Sequence, residues 1–406
     1  MFINTTRPKP LAFALLALGA FTTSAVRAAD DSAFTFSGFA TLGLASTNTD
    51  DATYVVGGET RGATKSVSGE VDSKIGLQAT GKLNSIFSAT VQALAKQDGD
   101  GRFRPGIEWA FAKAQLTPGF SMRVGRMGAP FFAVSDFRDV GYANTWLRPP
   151  IDVYSQVPVS HFDGADAIYQ ANVGSTVLTA QVYGGKSSAT VSGSDVKFRR
   201  LYGVNLTAEL NDGLTLRLGR GQTRVTVNSA SLNQLVAVLQ STPFASVGEQ
   251  LSTEDKSASF TGIGLSYDQN NIVVASEYTR RRTKSAVPST TGWYLTGGYR
   301  LGKVQPYVTV SQLKVDSSNV DNTIPIGVSP ALTVLKYTVD GALASQAQAQ
   351  KTVGVGMRWD VGRSIALKAQ IDRIKPDGAG LFDAPQPGFG QGQSVQVYSV
   401  AMDMVF

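Results

Sequence analysis

Residues that could do chemistry concentrate between Arg126 and Asp163. Asp136, Arg138, Asp139, Arg148 and Asp152 stand there among Phe131, Phe132, Phe137, Tyr142, Trp146 and Tyr154. Opposed charges held among aromatic rings suit the orientation of a polar solute better than the making of bonds. Pro130, Pro149, Pro150 and Pro158 deny the stretch ladder hydrogen bonds, so it reads as a loop spanning 128–161. A long loop of this composition is usually ordered and functional; a plain surface Ω-loop is the alternative. A hydrolytic reading would start from Ser160 and His161. Neighbours on an extended segment point opposite ways, however, and no third orienting group is indicated. With one histidine and no cysteine, multi-His metal sites and a disulfide framework are excluded. Gly57-Gly58 and Gly184-Gly185 lack the context of a phosphate loop, so no cofactor is expected.

The elements that must position these charges begin after an export signal. Arg7 and Lys9 precede the apolar run Leu11 to Phe21, which is too short to span a bilayer, and Val26 and Ala28 occupy a small-residue cleavage site. Residues 1–28 therefore read as a signal peptide, and 29–406 as the mature domain. The chain carries a formal charge of +6, and Arg7, Lys9 and Arg27 account for three of those positives. The mature chain is only mildly basic, with no basic stripe for nucleic acid. Abundant glycine, near-neutral hydropathy and no long apolar run leave a soluble β-protein or a membrane β-barrel.

Alternation decides between the two. Strands are expected near 33–46, 70–82, 85–97, 106–116, 119–127, 162–172, 175–186, 198–210, 213–226, 257–268, 271–284, 290–301, 304–315, 351–360, 363–374 and 393–406. That is an even set of sixteen. Tight connections such as Val173-Gly174, Gln269-Asn270 and Gly302-Lys303 alternate strictly with eight long or loop-like ones. A membrane barrel with short turns at one rim and long loops at the other predicts that order. Tyr398, Val400, Met402, Met404 and Phe406 share one face, opposite Ser399, Ala401 and Asp403; Leu214, Leu216 and Leu218 oppose Thr215 and Arg217. One face meets lipid and the other water, since unpaired backbone is intolerable in hydrocarbon. Two features break the pattern. Arg220 falls on the lipid parity of its strand, so it belongs beyond the apolar band or after a bulge. Strand 106–116 is apolar on both parities and cannot be oriented; it faces a neighbouring subunit or lies under the long loop.

Two other loops contain helical patches. Leu232, Leu235, Val236 and Leu239 recur at helical spacing within 229–241, and Leu332, Leu335, Val339 and Leu343 do so within 331–343. Packing on the outer rim is one reading; docking a partner or plugging the pore is the other.

With this architecture reached, the sequence resembles the Gram-negative outer-membrane porins, as a divergent branch. The residues that carry the resemblance are Phe34 to Phe39, Ser73-Lys74-Ile75-Gly76-Leu77, Gly81-Lys82-Leu83-Asn84, Val124-Gly125-Arg126, Gly164 to Tyr169 and the terminal Phe406. The resemblance implies an all-β, sixteen-stranded transmembrane antiparallel barrel whose third long loop folds inward. It implies a homotrimer among outer-membrane lipid and lipopolysaccharide, passing ions and small hydrophilic solutes by passive diffusion. Carried over by position, Lys74 and Arg126 would be wall cations and Asp136, Asp139 and Asp152 loop acids, with Arg138 and Arg148 beside them. Charges opposed across a wet lumen set up a transverse field that orients dipolar solutes. On the lipid face at the midplane a charge would cost ~2–4 kcal/mol. The run Asp139 to Tyr142 and the run Trp146 to Pro150 depart from the general porin loop, which raises a channel selective for a small organic anion or a sugar as the alternative. A membrane enzyme and a surface receptor acting through 227–256 and 317–350 are competing readings; the porin reading is non-enzymatic.

Overall fold

The computed structural model describes residues 33–210 and 213–406; the expected signal peptide lies outside the described residues. Sixteen long strands pair in chain order into one closed antiparallel sheet. They are β1 (Phe34–Thr47), β2 (Lys74–Lys82), β3 (Phe87–Gln97), β4 (Phe103–Thr117), β5 (Phe120–Gly128), β6 (His161–Val173), β7 (Thr176–Val191), β8 (Ser194–Glu209), β9 (Leu214–Asn228), β10 (Lys256–Gln269), β11 (Ile272–Thr283), β12 (Ser289–Tyr299), β13 (Val304–Ser317), β14 (Ala349–Asp360), β15 (Ile365–Asp377) and β16 (Val395–Val405). Closure comes from β16 returning to β1, with Phe39 opposite Val405 and Thr47 opposite Val397, so no ladder edge is left open.

Strand alternation sorts the side chains. Leu42, Leu44, Ile75, Leu77, Val91, Leu216, Leu218, Val353 and Val355 are exposed on the outer face. Thr41, Gln92, Glu277, Thr296, Gln370 and Asp403, on the other parity, are buried inside. An apolar exterior around a polar interior is the arrangement a bilayer demands. The bare strand β4 owes its ambiguity to a bulge: Gln92 pairs with Trp109 but Ala93 pairs with Ile107. Ile107 therefore faces out while Trp109 and Phe111 face in, and Phe111 packs beneath the long loop's core.

Turns at the rim that holds the chain ends are tight. Asn270 and Asn271 sit at φ 53° and 64°, a left-handed pair that asparagine tolerates. The opposite rim departs from the expected regularity. Its connections 98–102, 192–193 and 284–288 are short. The loop expected over 187–197 is instead a two-residue turn, Ser192-Gly193, at φ 45° and 74°. The β-favouring run Ala189-Thr190-Val191 pairs with Ser194 to Val196 and continues the ladder beyond the core barrel.

The four large outer loops besides 129–160 are also ordered. Loops 48–73 and 378–394 meet through a two-residue ribbon, Thr53–Tyr54 with Phe382–Asp383. Tyr54, Ala63, Phe382 and Phe389 bury a small apolar core there together with Ile151. Both expected helical patches form helices. The short helix of loop 129–160 is α1 (Ile151–Tyr154); α2 (Ala230–Gln240) and α3 (Ala245–Leu251) follow β9, and α4 (Pro330–Gln346) follows β13. Ser329 caps α4 by accepting the Leu332 amide at 3.2 Å, with Pro330 at the first position. Leu235, Leu239, Val247, Leu251, Ile324 and Val339 bury against one another. The apolar faces of the helices are thus spent on each other, and α3, unmarked in the sequence, completes the cluster.

Candidate functional site

Loop 129–160 connects β5 to β6 and packs against the inner face of the barrel. Local bonds shape it first. The Phe132 amide donates to Ser135 Oγ at 2.9 Å, opening a 3-10 turn at Ser135–Phe137. Asn144 Nδ2 donates to the carbonyls of Phe137 (3.2 Å) and Val140 (3.1 Å), folding the charged segment back on itself. Pro149 and Pro150 then direct the chain into α1.

One side of the loop is dry. Trp146 Nε1 donates to Thr296 Oγ1 at 2.6 Å, and Tyr154 and Tyr294 both donate to Glu277, at 2.5 and 3.1 Å. The Ala133 amide donates to the other oxygen of Glu277 at 2.8 Å. Lys368 Nζ donates to the carbonyls of Gly141, Asn144 and Trp146, each at 2.7 Å, and lies 2.9 Å from Asp403. Both members of that pair have fully buried side chains. Arg148 donates twice to Asp72, at 2.8 and 2.7 Å, and again to Ser399 at 2.7 Å, with Asp372 at 3.5 Å. Phe131, Phe132, Trp146, Val153 and Tyr154 meet Phe260, Tyr294 and Tyr307 of the wall, and Phe132 stacks on Tyr154 at 4.4 Å. Satisfied polar bonds and aromatic packing together fasten the loop to β8–β16 and β1.

The other side is wet. Asp139 gathers three cations: Lys74 at 3.4 Å, Lys96 at 3.1 Å and Arg138 at 3.8 Å. The four side chains keep 17–33% of their surface accessible. Burial alone would raise the Asp139 carboxyl, but Lys96, Lys74 and Arg138 outweigh it and hold it below the ordinary carboxylate range. Asp136 is exposed, in the field of Arg123 and Arg217. Arg123 reaches from β5 to Asp166 with its Nε at 3.0 Å and an Nη at 2.5 Å, and its guanidinium lies 5.3 Å from the Phe111 ring centre.

This partition relocates three of the residues singled out in the sequence. Arg148 is 5% exposed and is a clamp between the loop and Asp72, out of reach of a solute. Asp152 is 1% exposed; Ser311 Oγ donates to it at 2.6 Å, and its second oxygen has no hydrogen-bond partner among the described residues. Burial pushes its carboxyl up to about 6. Arg126 shares a parity with the exposed Met122 and Val124, so it points away from the interior and pairs with Asp163 at 2.7 Å. Lys74, Arg138 and Asp139 do come together, whereas Asp136 lies in the field of Arg123 and Arg217. Sequence reasoning passed over Lys96 and Arg123. The tight turn after Leu83 sets the β2–β3 register that puts Lys74 opposite Lys96, and that signal was available.

His161 also departs from expectation. Ser160 precedes the first strand residue, so strand alternation does not govern it, and its Oγ lies 3.3 Å from His161 Nδ1. Glu108 lies 3.5 Å from the same nitrogen. A relay needs nucleophile and acid on different ring nitrogens, so these contacts do not build one.

The sequence matches the family described as Gram-negative porin over residues 12–379. The chain belongs to the Gram-negative porin family. No curated protein sequence matches it. Solved structures share the fold. The anion-selective porin from Comamonas acidovorans is 13% identical, with TM-score 0.54 over 92% of this chain and 99% of that one. The outer membrane channel DcaP of Acinetobacter baumannii is 11% identical, with TM-score 0.53 over 92% and 97%. Salmonella typhi OmpF, in complex with daunomycin, is 14% identical, with TM-score 0.51 over 92% and 97%. At such identities these likenesses speak for the fold alone. As a member of its family this porin is an outer-membrane barrel through which ions and small hydrophilic solutes diffuse. Its interior is asymmetric: the loop is bonded to one wall, and the charged groups that keep water contact lie between the loop and β2–β5.

Proposed function

We propose that the solute path of this porin runs between the 135–143 segment of the loop and the wall of β2–β5, with Lys74, Lys96, Arg123, Arg138, Asp136 and Asp139 as the constriction. The observation that carries this is the wet cluster around Asp139, set against the dry, bonded contacts of the loop on its other side. A field between the wall cations and the loop acids orders water and selects dipolar solutes over apolar ones. Lys74, Lys96, Lys113, Arg123 and Arg138 on this side outnumber Asp136, Asp139, Glu108 and Asp166, which favours a mild preference for anions and keeps a small organic anion as the candidate selective substrate. Export by cleavage of residues 1–28, assembly as a homotrimer and passage without chemical change complete the reading.

Single-channel recording of the refolded porin in a planar bilayer under a salt gradient tests it. Ohmic steps with a reversal potential on the anion side are expected, and small carboxylates should reduce the current more than neutral sugars do. Folded, heat-modifiable protein that never conducts would sink the proposal.

A further inference from the structure

The β7–β8 hairpin rises past the wall and then turns inward. Gly185 pairs with Leu201 but Ser187 pairs with Phe198, so β8 carries one extra residue at this level, and Arg200 takes φ 50°. The β9 side repeats the shift: Gln222 pairs with Tyr202 and Arg224 with Arg199. A bulge of this kind bends the strand that carries it. Beyond the bulge, 187–191, 194–198 and 224–228 form a three-stranded flap. Val196, Phe198 and Val225 are buried on one of its faces, against the aromatic core of loop 129–160; Ser188 and Lys197 are exposed on the other.

The tip of the flap lands far from its own strands. Ser192 donates its amide to the Gly58 carbonyl at 2.7 Å, and Gly193 donates to the Gly99 carbonyl at 3.0 Å. Gly99 lies in the turn between β3 and β4, four strands back along the wall. That is about 19 Å at the usual strand spacing, which an upright hairpin would not cross. Both seats are glycines at close approach: a Cβ on Gly99 would collide with the Thr190 carbonyl, and one on Gly58 would stand 2.7 Å from Val191 Cγ1. Glu59, next to Gly58, lies in the field of Asp72, Lys96 and Lys74, so the seat stands over the wet wall of the channel. Loop 48–73 continues the crossing through its ribbon with Phe382–Asp383. Flap, loop 48–73 and loop 378–394 thus make one bridge over the mouth, from β7–β9 to β15–β16.

We propose that this flap is the size filter of the channel: it admits compact solutes to the path along β2–β5 and turns away oligomeric or branched ones. Backbone bonds and apolar packing hold it, so it selects by width, while the charges beneath it act on what has already entered. The inference rests on the solute path proposed above.

The refolded barrel in proteoliposomes tests it. Swelling rates for a pentose, a disaccharide and a trisaccharide are measured beside the reversal potential under a salt gradient. The probes are uncharged, so net charge does not rank them. Replacing 188–197 by Asn-Gly closes a two-residue turn on the Ser187–Phe198 pair. The segment removed holds Asp195 and Lys197, so no net charge is lost. This variant should pass the two larger sugars several-fold faster relative to the pentose than wild type does, with the reversal potential unchanged. Gly99→Leu, which keeps the hairpin and removes its seat, should move the ratio the same way. An unchanged ratio in the shortened barrel overturns the inference. Lys96→Gln, measured alongside, then separates the causes: a shifted reversal potential keeps the path and removes only the filter, and no shift removes the path as well. Should the shortened chain not fold, Gly99→Leu decides alone, and wild-type ratios there reject the filter.

Discussion

At the scale of single residues, exposure separates the charges that meet solute from those that hold the protein together. Lys96 keeps a third of its side-chain surface in contact with water, and it faces Asp139 directly. Replacing Lys96 with Gln should move the reversal potential under a salt gradient toward cations, and Arg123→Gln should do the same. Arg126→Ala should leave the potential where it is, because that side chain points outward to Asp163. A matching shift in Arg126→Ala would mean that it reaches the lumen after all. Asp152 supplies a different signal. Its carboxyl, pushed up to about 6, is harder to ionise in the folded protein than in the unfolded chain. Burying its charge therefore costs stability above pH 6, and the cost is relieved as pH falls from 6 toward 4. The span corresponds to about 3 kcal/mol at most. Asp152→Asn should be more stable than wild type at pH 8, and the difference should shrink toward zero by pH 4. Thermal unfolding of both proteins between those limits reads it directly.

Among the elements, the loop is fastened by a few buried bonds, and Lys368 carries the densest set. One ammonium satisfies three loop carbonyls and sits against Asp403, all out of water. Lys368→Met would leave Asp403 without its cation and strip a donor from each of those carbonyls, although Asn144 keeps Arg358 and Gly141 keeps the Asn144 amide; the loss is about 3–5 kcal/mol by the usual cost of halving a buried pair. The barrel ladder does not depend on that bond, so the protein should still fold and migrate as a heat-modifiable band. Its conductance should become noisy as the loop leaves the wall. Quiet current at wild-type amplitude would show that Arg148 and Glu277 suffice to hold the loop. The sequence was informative at this scale only in part. Alternation with Met122 and Val124 is a signal that puts Arg126 on the outer face, whereas the resemblance by position made it a wall cation. Nothing local distinguishes Arg148 and Asp152 from Arg138 and Asp139. All four are loop charges among aromatics, and only docking against Asp72, Ser311 and Ser399 makes two of them dry.

Over the whole molecule, the barrel and its helical cap are separate constructions. The closed sheet satisfies its own backbone, whereas α2, α3 and α4 hide their apolar faces in a shared cluster on the loop rim. Removing 230–251 and 330–346 together, with short polar turns in their place, should give a barrel that folds and conducts. Removing 330–346 alone bares Leu235, Leu239 and Leu251, and that variant should be less soluble and less stable than the double deletion. The ordering of the three proteins in refolding yield is the measurement; a double deletion that fails to fold would join the cap to the barrel's own stability.

What the sequence determined by itself was the barrel: sixteen strands, their order, and which parity meets lipid. Those features are local, because alternation is written every two residues and each hairpin turn is specified by the few residues that form it. The tertiary structure alone decided which side of the long loop is wet and that Ser192-Gly193 closes a hairpin where a loop was expected. Each depends on register and on packing between residues far apart in the chain. A buried bond such as Arg148 to Asp72 has no periodicity that a single sequence could display.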